Sequence, residues 1–359
     1  MNEIDINEQK LLEKSPDVLR ALLKDHTRTA YEVEKAQEKG LQPAKDQWNI
    51  IWGTNSYLVV GGDGFGERDE ITEEKITGDN RFLVRPRAVK EKDVQRQRSR
   101  DMAEVFTPAW VCNAQNNLVD DAWFGRTEVF NREFVDKEGV HRWEAVEDRV
   151  RFDEEPSRES EKSWKEYVSD VRLEITCGEA PYVVSRYDAV TGFPEMDLNR
   201  RIGLLDRKLR VVSENTHERA DWLEWAKKAV KSVYGFEWQG DSLLLAREAV
   251  LFTVIDFYRA KFDREMHPKS MKEFAYIISW NFWQMDGLKM VLPYSCENQT
   301  LVNLLGETEL IKCPACEKDL RTGHIGVKCV IRDWGKKRNE QKITFESHYY
   351  PICLNHFLR

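Results

Sequence analysis

The sequence predicts an α/β fold: a doubly wound, open parallel sheet with a helical N-terminal extension and a small cysteine- and histidine-bearing C-terminal module. Three observations predict it. Leu173-Glu-Ile-Thr-Cys-Gly-Glu-Ala-Pro-Tyr-Val-Val-Ser-Arg-Tyr-Asp188 opens as a short apolar strand, breaks at Cys177-Gly178 and turns apolar again. A strand running into a tight glycine turn brings a nucleotide-type ligand close to backbone N–H groups. Apolar segments after 202 and 274 also end in polar residues, and a further polar turn lies near 241. In open α/β sheets, ligands bind outside the carboxyl ends of the strands. Finally, Cys313-Pro-Ala-Cys316, His324 and Cys329 follow the spacing C-x2-C-x7-H-x4-C, which suits tetrahedral Zn²⁺.

The chain has 359 residues, room for two domains or one large α/β domain with additions. Boundaries are expected at 1–100 (extension), 101–300 (α/β domain) and 301–359 (C-terminal module). Apolar residues make up 41% and charged residues 33%, the balance of a soluble protein with a sizeable core. No apolar run approaches a membrane span, and the acidic N-terminus has no apolar leader, so a cytoplasmic protein is expected. Seven cysteines, an odd count, read as thiols or metal ligands and not as a disulfide framework. A net charge of −8 argues against a protein that coats nucleic acid but leaves room for a local basic groove.

Along the chain, Ser15-Pro16-Asp17 starts a helix, with Val18, Leu19, Leu22 and Leu23 on one face. Gly40 and Pro43 end the next helix. Residues 48–60 are aromatic and strand-like. Gly61-Gly-Asp-Gly-Phe-Gly66 lacks the Gly-Lys-Ser/Thr ending of a phosphate loop and reads as a flexible turn. Arg81, Arg85, Arg87, Lys90, Lys92, Arg96, Arg98 and Arg100 form a basic stretch, either a solvated face or a set of phosphate contacts. Thr107-Pro108 opens a helix whose N–H groups can meet a ligand carboxylate. Residues 127–165 are charged and expected to be a mobile insertion. Strands are expected at 173–177, 202–205 and 274–280, and a helix over 242–262. Asp206, at the end of its expected strand, is suited to holding ribose hydroxyls; the other reading is a surface acid in a salt-linked helix. In the C-terminal module Cys353 and His356 are further candidate ligands, and a hairpin with reduced thiols is the alternative to zinc.

The order of these blocks resembles the adenine-modifying amino-methyltransferases of restriction–modification systems, and proteins described as restriction endonuclease subunit M. Glu104-Val-Phe-Thr-Pro108 looks like the family's Phe/Tyr-Thr-Pro signature, and Glu174-Ile-Thr-Cys-Gly178 like its Asp-Pro-x-Cys-Gly motif. Asp206 falls where the ribose-binding acid belongs, and Gly240-Asp241-Ser242-Leu243 looks like the third motif. Ile277-Ile-Ser-Trp-Asn-Phe-Trp283 looks like the strand leading into Asn-Pro-Pro-Tyr/Phe. The resemblance covers residues 100–330 in coarse order. It implies a Rossmann-like methyltransferase sheet that binds S-adenosylmethionine through Phe106, Thr107, Pro108, Glu174, Cys177, Gly178, Asp206 and Asp241. It further implies that Asn281 holds the amine of a flipped DNA base while Phe282 or Trp283 stacks on it. DNA, and a specificity or restriction subunit, are the implied partners. Two departures stand out: Cys177-Gly178-Glu179-Ala180 replaces Cys-Gly-x-Gly, and Asn281-Phe282-Trp283-Gln284 lacks both prolines. A non-catalytic, nucleic-acid-binding relative is therefore the alternative reading. A third is a nucleic-acid-binding protein built on the zinc module and the basic stretch.

Overall fold

The computed structural model describes residues 8–102, 104, 107–152, 162–297, 299–302, 308–320, 322–334 and 342–344. Phe106, Cys353 and His356 lie outside the described residues. The architecture is mixed α/β with small sheets.

The chain begins with helices α1 (Glu8–Lys14), α2 (Pro16–Leu23) and α3 (His26–Glu38). In α2, proline fixes the first turn, and Val18, Leu19, Leu22 and Leu23 are all buried, as their spacing predicts. Each such buried side chain stabilises by about 1.5–3 kcal/mol. These four residues join the main core, so the N-terminal segment packs into the same interior as the sheet. Residues 48–60 do not form a long strand; isolated bridges at Asn49 and Ile51 are followed by the one-turn helix α4 (Leu58–Gly61), and α5 (Glu73–Ile76) is equally short.

Helix α6 (Lys92–Met102) carries Lys92, Arg96, Arg98 and Arg100 of the basic stretch, and α7 (Ala109–Phe124) follows Pro108. Within residues 127–165, β1 (Asn131–Val135) and β2 (His141–Ala145) pair antiparallel, and the short α8 (Trp164–Ser169) begins at a Ser163/Glu166 capping box.

The central sheet has three parallel strands in the order β3 (Arg172–Ile175), β4 (Val233–Glu237), β5 (Phe282–Gln284). Helices α9 (Leu204–Asn215) and α10 (Arg219–Lys231) connect the first two strands, and α11 (Gly240–Phe262) and α12 (Pro268–Asn281) the second two. Successive side chains of a strand point to opposite faces. Val233 and Phe282 therefore join the helices in the main core. Tyr234, Phe236 and Trp283 face the other way, into a smaller cluster with Met285, Met290, Leu292, Cys329 and Ile331.

Two expected strands are helices instead. The 202–205 segment enters α9, and 274–280 lies inside α12. In α9, Leu205, Leu209 and Val212 face the core while Arg207 and Lys208 are also buried, because Arg207 pairs with Asp120 at 2.6 Å and Lys208 donates to Ser232 Oγ at 2.6 Å. In α12, Phe274, Ile277 and Ile278 are buried and the half-exposed Tyr276 is not, a helical and not an alternating pattern.

The C-terminal part contains the hairpin β6 (Gln299–Val302) and β7 (Thr308–Ile311), the one-turn helix α13 (Pro314–Glu317), and the pair β8 (Val330–Arg332) and β9 (Lys342–Thr344). Among the described residues, no helix is long and apolar enough to cross a membrane.

Candidate functional site

Two places gather chemistry-bearing side chains. The first is the carboxyl end of the central sheet. After β3 the chain turns at Cys177-Gly178-Glu179-Ala180, with Gly178 at φ +53° and Ala180 at φ +64°. The turn adopts a glycine-type backbone at the position where the second glycine is replaced by alanine. That φ disfavours any residue with a Cβ, and Ala180 is fully buried.

Beside this turn, β4 ends at Glu237. Its carboxylate accepts from Gly178 N at 2.9 Å, from Trp238 N at 2.9 Å and from Gln239 N at 3.2 Å. Glu237 is buried, and burial raises its pKa. No cation forms an ion pair with it among the described residues. Sequence reasoning missed Glu237. The available signal was an acid closing the apolar run Val233-Tyr-Gly-Phe-Glu237, but two helices separate it from the glycine turn. The resemblance points instead to Asp206, which lies nearer to the glycine turn in sequence.

The structure gives Asp206 a different task. It sits in the first turn of α9, and its Oδ2 accepts from Ser185 N, Ser185 Oγ and Gly203 N at 2.8–3.0 Å. It caps its own helix within the core, where burial raises its pKa. Asp241, in the first turn of α11, is likewise engaged. Arg98 pairs with it at 2.9 Å, Lys90 at 3.2 Å, and the Tyr57 hydroxyl donates to it at 2.6 Å. The two cations hold its carboxyl well below the usual range despite burial. Gly240 is required here because a Cβ would lie 1.9 Å from the Ile51 carbonyl oxygen.

Arg98 also pairs with Glu104 at 2.6 Å and donates to Gln239 Oε1 at 2.5 Å. Arg87 N donates to Glu179, whose other oxygen accepts from the Tyr187 hydroxyl. Burial pushes the Glu179 pKa up to about 7. Part of the basic stretch thus turns inward over the strand ends. Its outward side forms an open groove of about 530 Å³ lined by Arg87, Lys92, Gln95, Arg96, Ser99 and Arg100.

Glu174, in β3, is partly buried, and burial pushes its pKa up to about 8; Cys112 of α7 lies within its electrostatic reach. Cys177 is buried, and its thiol is pushed up. Thr107 and Pro108 are partly buried at the head of α7. The first N–H of that helix, at Ala109, is taken by the Asp188 carboxylate at 2.8 Å, so a residue of the chain fills the place expected for a ligand carboxylate.

Asn281, Phe282 and Trp283 are not an exposed loop. Asn281 is the last residue of α12 and fully buried. Its amide donates to the carbonyls of Val230, Lys231 and Val233 at 2.9–3.1 Å and accepts from Trp334 Nε1 at 2.7 Å. Phe282 and Trp283 form β5 and lie in the two cores. A side chain so enclosed is out of reach of a flipped base.

The second place is in the C-terminal part. The Sγ atoms of Cys296, Cys313 and Cys316 and the Nδ1 of His324 all lie within 4.8 Å of one another, a Cys3His cluster of the kind that can hold a metal. Cys313 is the N-cap of α13 and Cys316 lies within it, and Cys296 reaches them from the loop after β5. Cys296 takes the place expected for Cys329. Cys329 is buried in the smaller core, its Sγ 3.8 Å from the Gln284 carbonyl oxygen.

No family model, curated protein or solved structure matches this chain.

Proposed function

We propose that this chain binds S-adenosylmethionine at the carboxyl ends of β3 and β4 and acts in DNA methylation, as the cofactor-holding part of an adenine-modifying methyltransferase. Glu237 carries the reading. It is a buried carboxylate at the end of the central strand, bonded among the described residues only to peptide N–H groups, one of them from the glycine turn of the neighbouring strand. In βαβ units an acid at that position takes the ribose hydroxyls, because one carboxylate can accept from both. A buried acid with a raised pKa beside a glycine turn also fits a ligand site better than a structural ion pair. The sequence blocks quoted above support the same reading, with Glu237 in place of Asp206.

In this reading the methionine part lies against the 177–180 turn and Glu237 holds the ribose. The cofactor supplies an activated methyl group, and the chain binds and orients it. Lys90 and Arg98 lie across the strand ends through Asp241 and Gln239. The groove on the outer side of α6 takes DNA phosphates, which fix position without reading sequence.

A second reading, cofactor and DNA binding without methyl transfer, is favoured by the burial of Asn281, Phe282 and Trp283. Incubation of the full chain with radiolabelled S-adenosylmethionine and mixed-sequence DNA separates the two. Label in DNA supports the methyltransferase. Cofactor binding without label supports the second reading. No cofactor binding removes both.

A further inference from the structure

We propose that Cys296, Cys313, Cys316 and His324 bind one structural Zn²⁺, which fastens the loop after β5 to the C-terminal knuckle. The geometry is that of a coordination tetrahedron. Zinc–sulfur bonds of about 2.3 Å and zinc–nitrogen bonds of about 2.0–2.1 Å, at tetrahedral angles, give S···S edges of about 3.8 Å and S···N edges of about 3.6 Å. The structure has Cys296 Sγ to Cys316 Sγ at 3.7 Å, and His324 Nδ1 to the sulfurs of Cys296, Cys313 and Cys316 at 3.5, 3.6 and 3.4 Å.

Hydrogen bonding does not account for this arrangement. His324 Nε2 lies 2.9 Å from the Leu320 carbonyl oxygen, which can only accept, so Nε2 carries the proton and Nδ1 presents a lone pair. One lone pair accepts from one S–H, yet three sulfurs surround it at nearly equal distance. A cation at the centre engages all four atoms at once. The Leu320 contact also supplies what a metal-bound imidazole needs, a backbone acceptor that fixes its tautomer and ring plane. Three thiolates and an imidazole select a soft or borderline ion over Mg²⁺ or Ca²⁺. Four protein ligands close the coordination shell, so the ion is structural and not catalytic.

The connection has a consequence for the sheet. The loop bearing Cys296 is bonded to the segment between His324 and β8 through Leu292 N to Val327 O and Val327 N to Ser295 Oγ. Gly326 allows the close pass; a Cβ there would lie 2.9 Å from Cys296 Cβ. In the same loop, Tyr294 packs edge-on against Trp238, the residue after Glu237. The metal thereby braces the end of the central strand from the C-terminal side. The proposal does not depend on the cofactor reading.

The test is metal analysis of the full chain purified without chelator, combined with the optical spectrum of the cobalt(II)-substituted protein. One zinc per chain and an intense thiolate-to-cobalt band are expected. Cys296→Ser and Cys313→Ser lose the stoichiometric metal, Cys329→Ser retains it, and Cys296→His restores it with a weaker thiolate band. Cys329→Ser serves as the folded control if the ligand variants fail to fold. Wild type with no bound zinc and no affinity for added Zn²⁺ or Co²⁺ overturns the proposal. So does loss of metal from Cys329→Ser with retention in Cys296→Ser.

Discussion

The sheet end and the cysteine knuckle are both crowded with groups able to bind ligands, but they differ in whether those groups are already engaged. At the carboxyl end of the sheet Asp241 is paired with Arg98 and Lys90 and Asp206 accepts three hydrogen bonds on one oxygen at the head of its own helix, and at the amino end, before β5, Asn281 uses its whole amide on the chain. In the knuckle, three sulfurs and a lone-pair nitrogen face a common centre. The comparison teaches that residue type alone does not mark a ligand site. Where a buried polar group is bonded within the chain, its removal should first be read as lost stability. Glu237 lies between the extremes, bonded to peptide N–H groups but to no cation among the described residues.

The largest effect expected from this contrast is at Arg98. Arg98→Ala leaves Asp241 and Glu104 buried without their shared cation, and urea unfolding should give a loss of about 3–5 kcal/mol. An unchanged midpoint would show that the sheet-end network is not structural. Asn281→Ala comes next. It strips donors from three carbonyls and should cost roughly 1–3 kcal/mol, while leaving S-adenosylmethionine affinity as in wild type. Weakened cofactor binding in a folded Asn281→Ala protein would return Asn281 to the site.

The sequence revealed some of this and concealed the rest for identifiable reasons. Helix α2 is legible because its four apolar residues share one face and its other side meets solvent. Strand β3 and its glycine turn are legible because a short apolar run stops at Cys177-Gly178. Helix α9 is not, because Arg207 and Lys208 are buried through pairing, which blurs the helical period. Helix α12 is not, because Phe274-Ala-Tyr-Ile-Ile278 within it is a continuous apolar run that reads equally as a buried strand. Half of the C-terminal knuckle, Cys313 and Cys316, is local in sequence. Cys296 comes from across the β6–β7 hairpin, so only the folded chain brings it to the cluster.

A smaller, pH-dependent effect is expected at Glu179. Its carboxyl ionises near the ordinary 4.5 when unfolded and at about 7 when folded. The folded state therefore binds the proton more tightly. This contribution to stability is complete below about pH 4.5 and is lost as pH rises through about 7. Glu179→Gln should reduce the slope of that part of the stability profile, leaving the shares of Asp25, Glu8 and Glu174, which burial raises to about 6, about 7 and about 8. A profile identical to wild type would contradict it. The smallest expected effect is at Ala180, whose φ of +64° suits glycine. Ala180→Gly should raise the melting temperature slightly, by less than about 1 kcal/mol in stability, since relief of the backbone is partly offset by the flexibility of glycine. A lower melting temperature would mean that the buried methyl outweighs the strain.

The central claim is that Glu237, and not Asp206, is the acid that holds the cofactor, and isothermal titration of S-adenosylmethionine into three folded proteins tests it most directly. Wild type should bind. Glu237→Gln should bind at least tenfold more weakly, the loss of a charge-assisted hydrogen bond of about 1.5–3 kcal/mol. Asp206→Asn should be less stable yet bind as wild type does. Binding unchanged in Glu237→Gln, or weakened only in Asp206→Asn, would contradict the account.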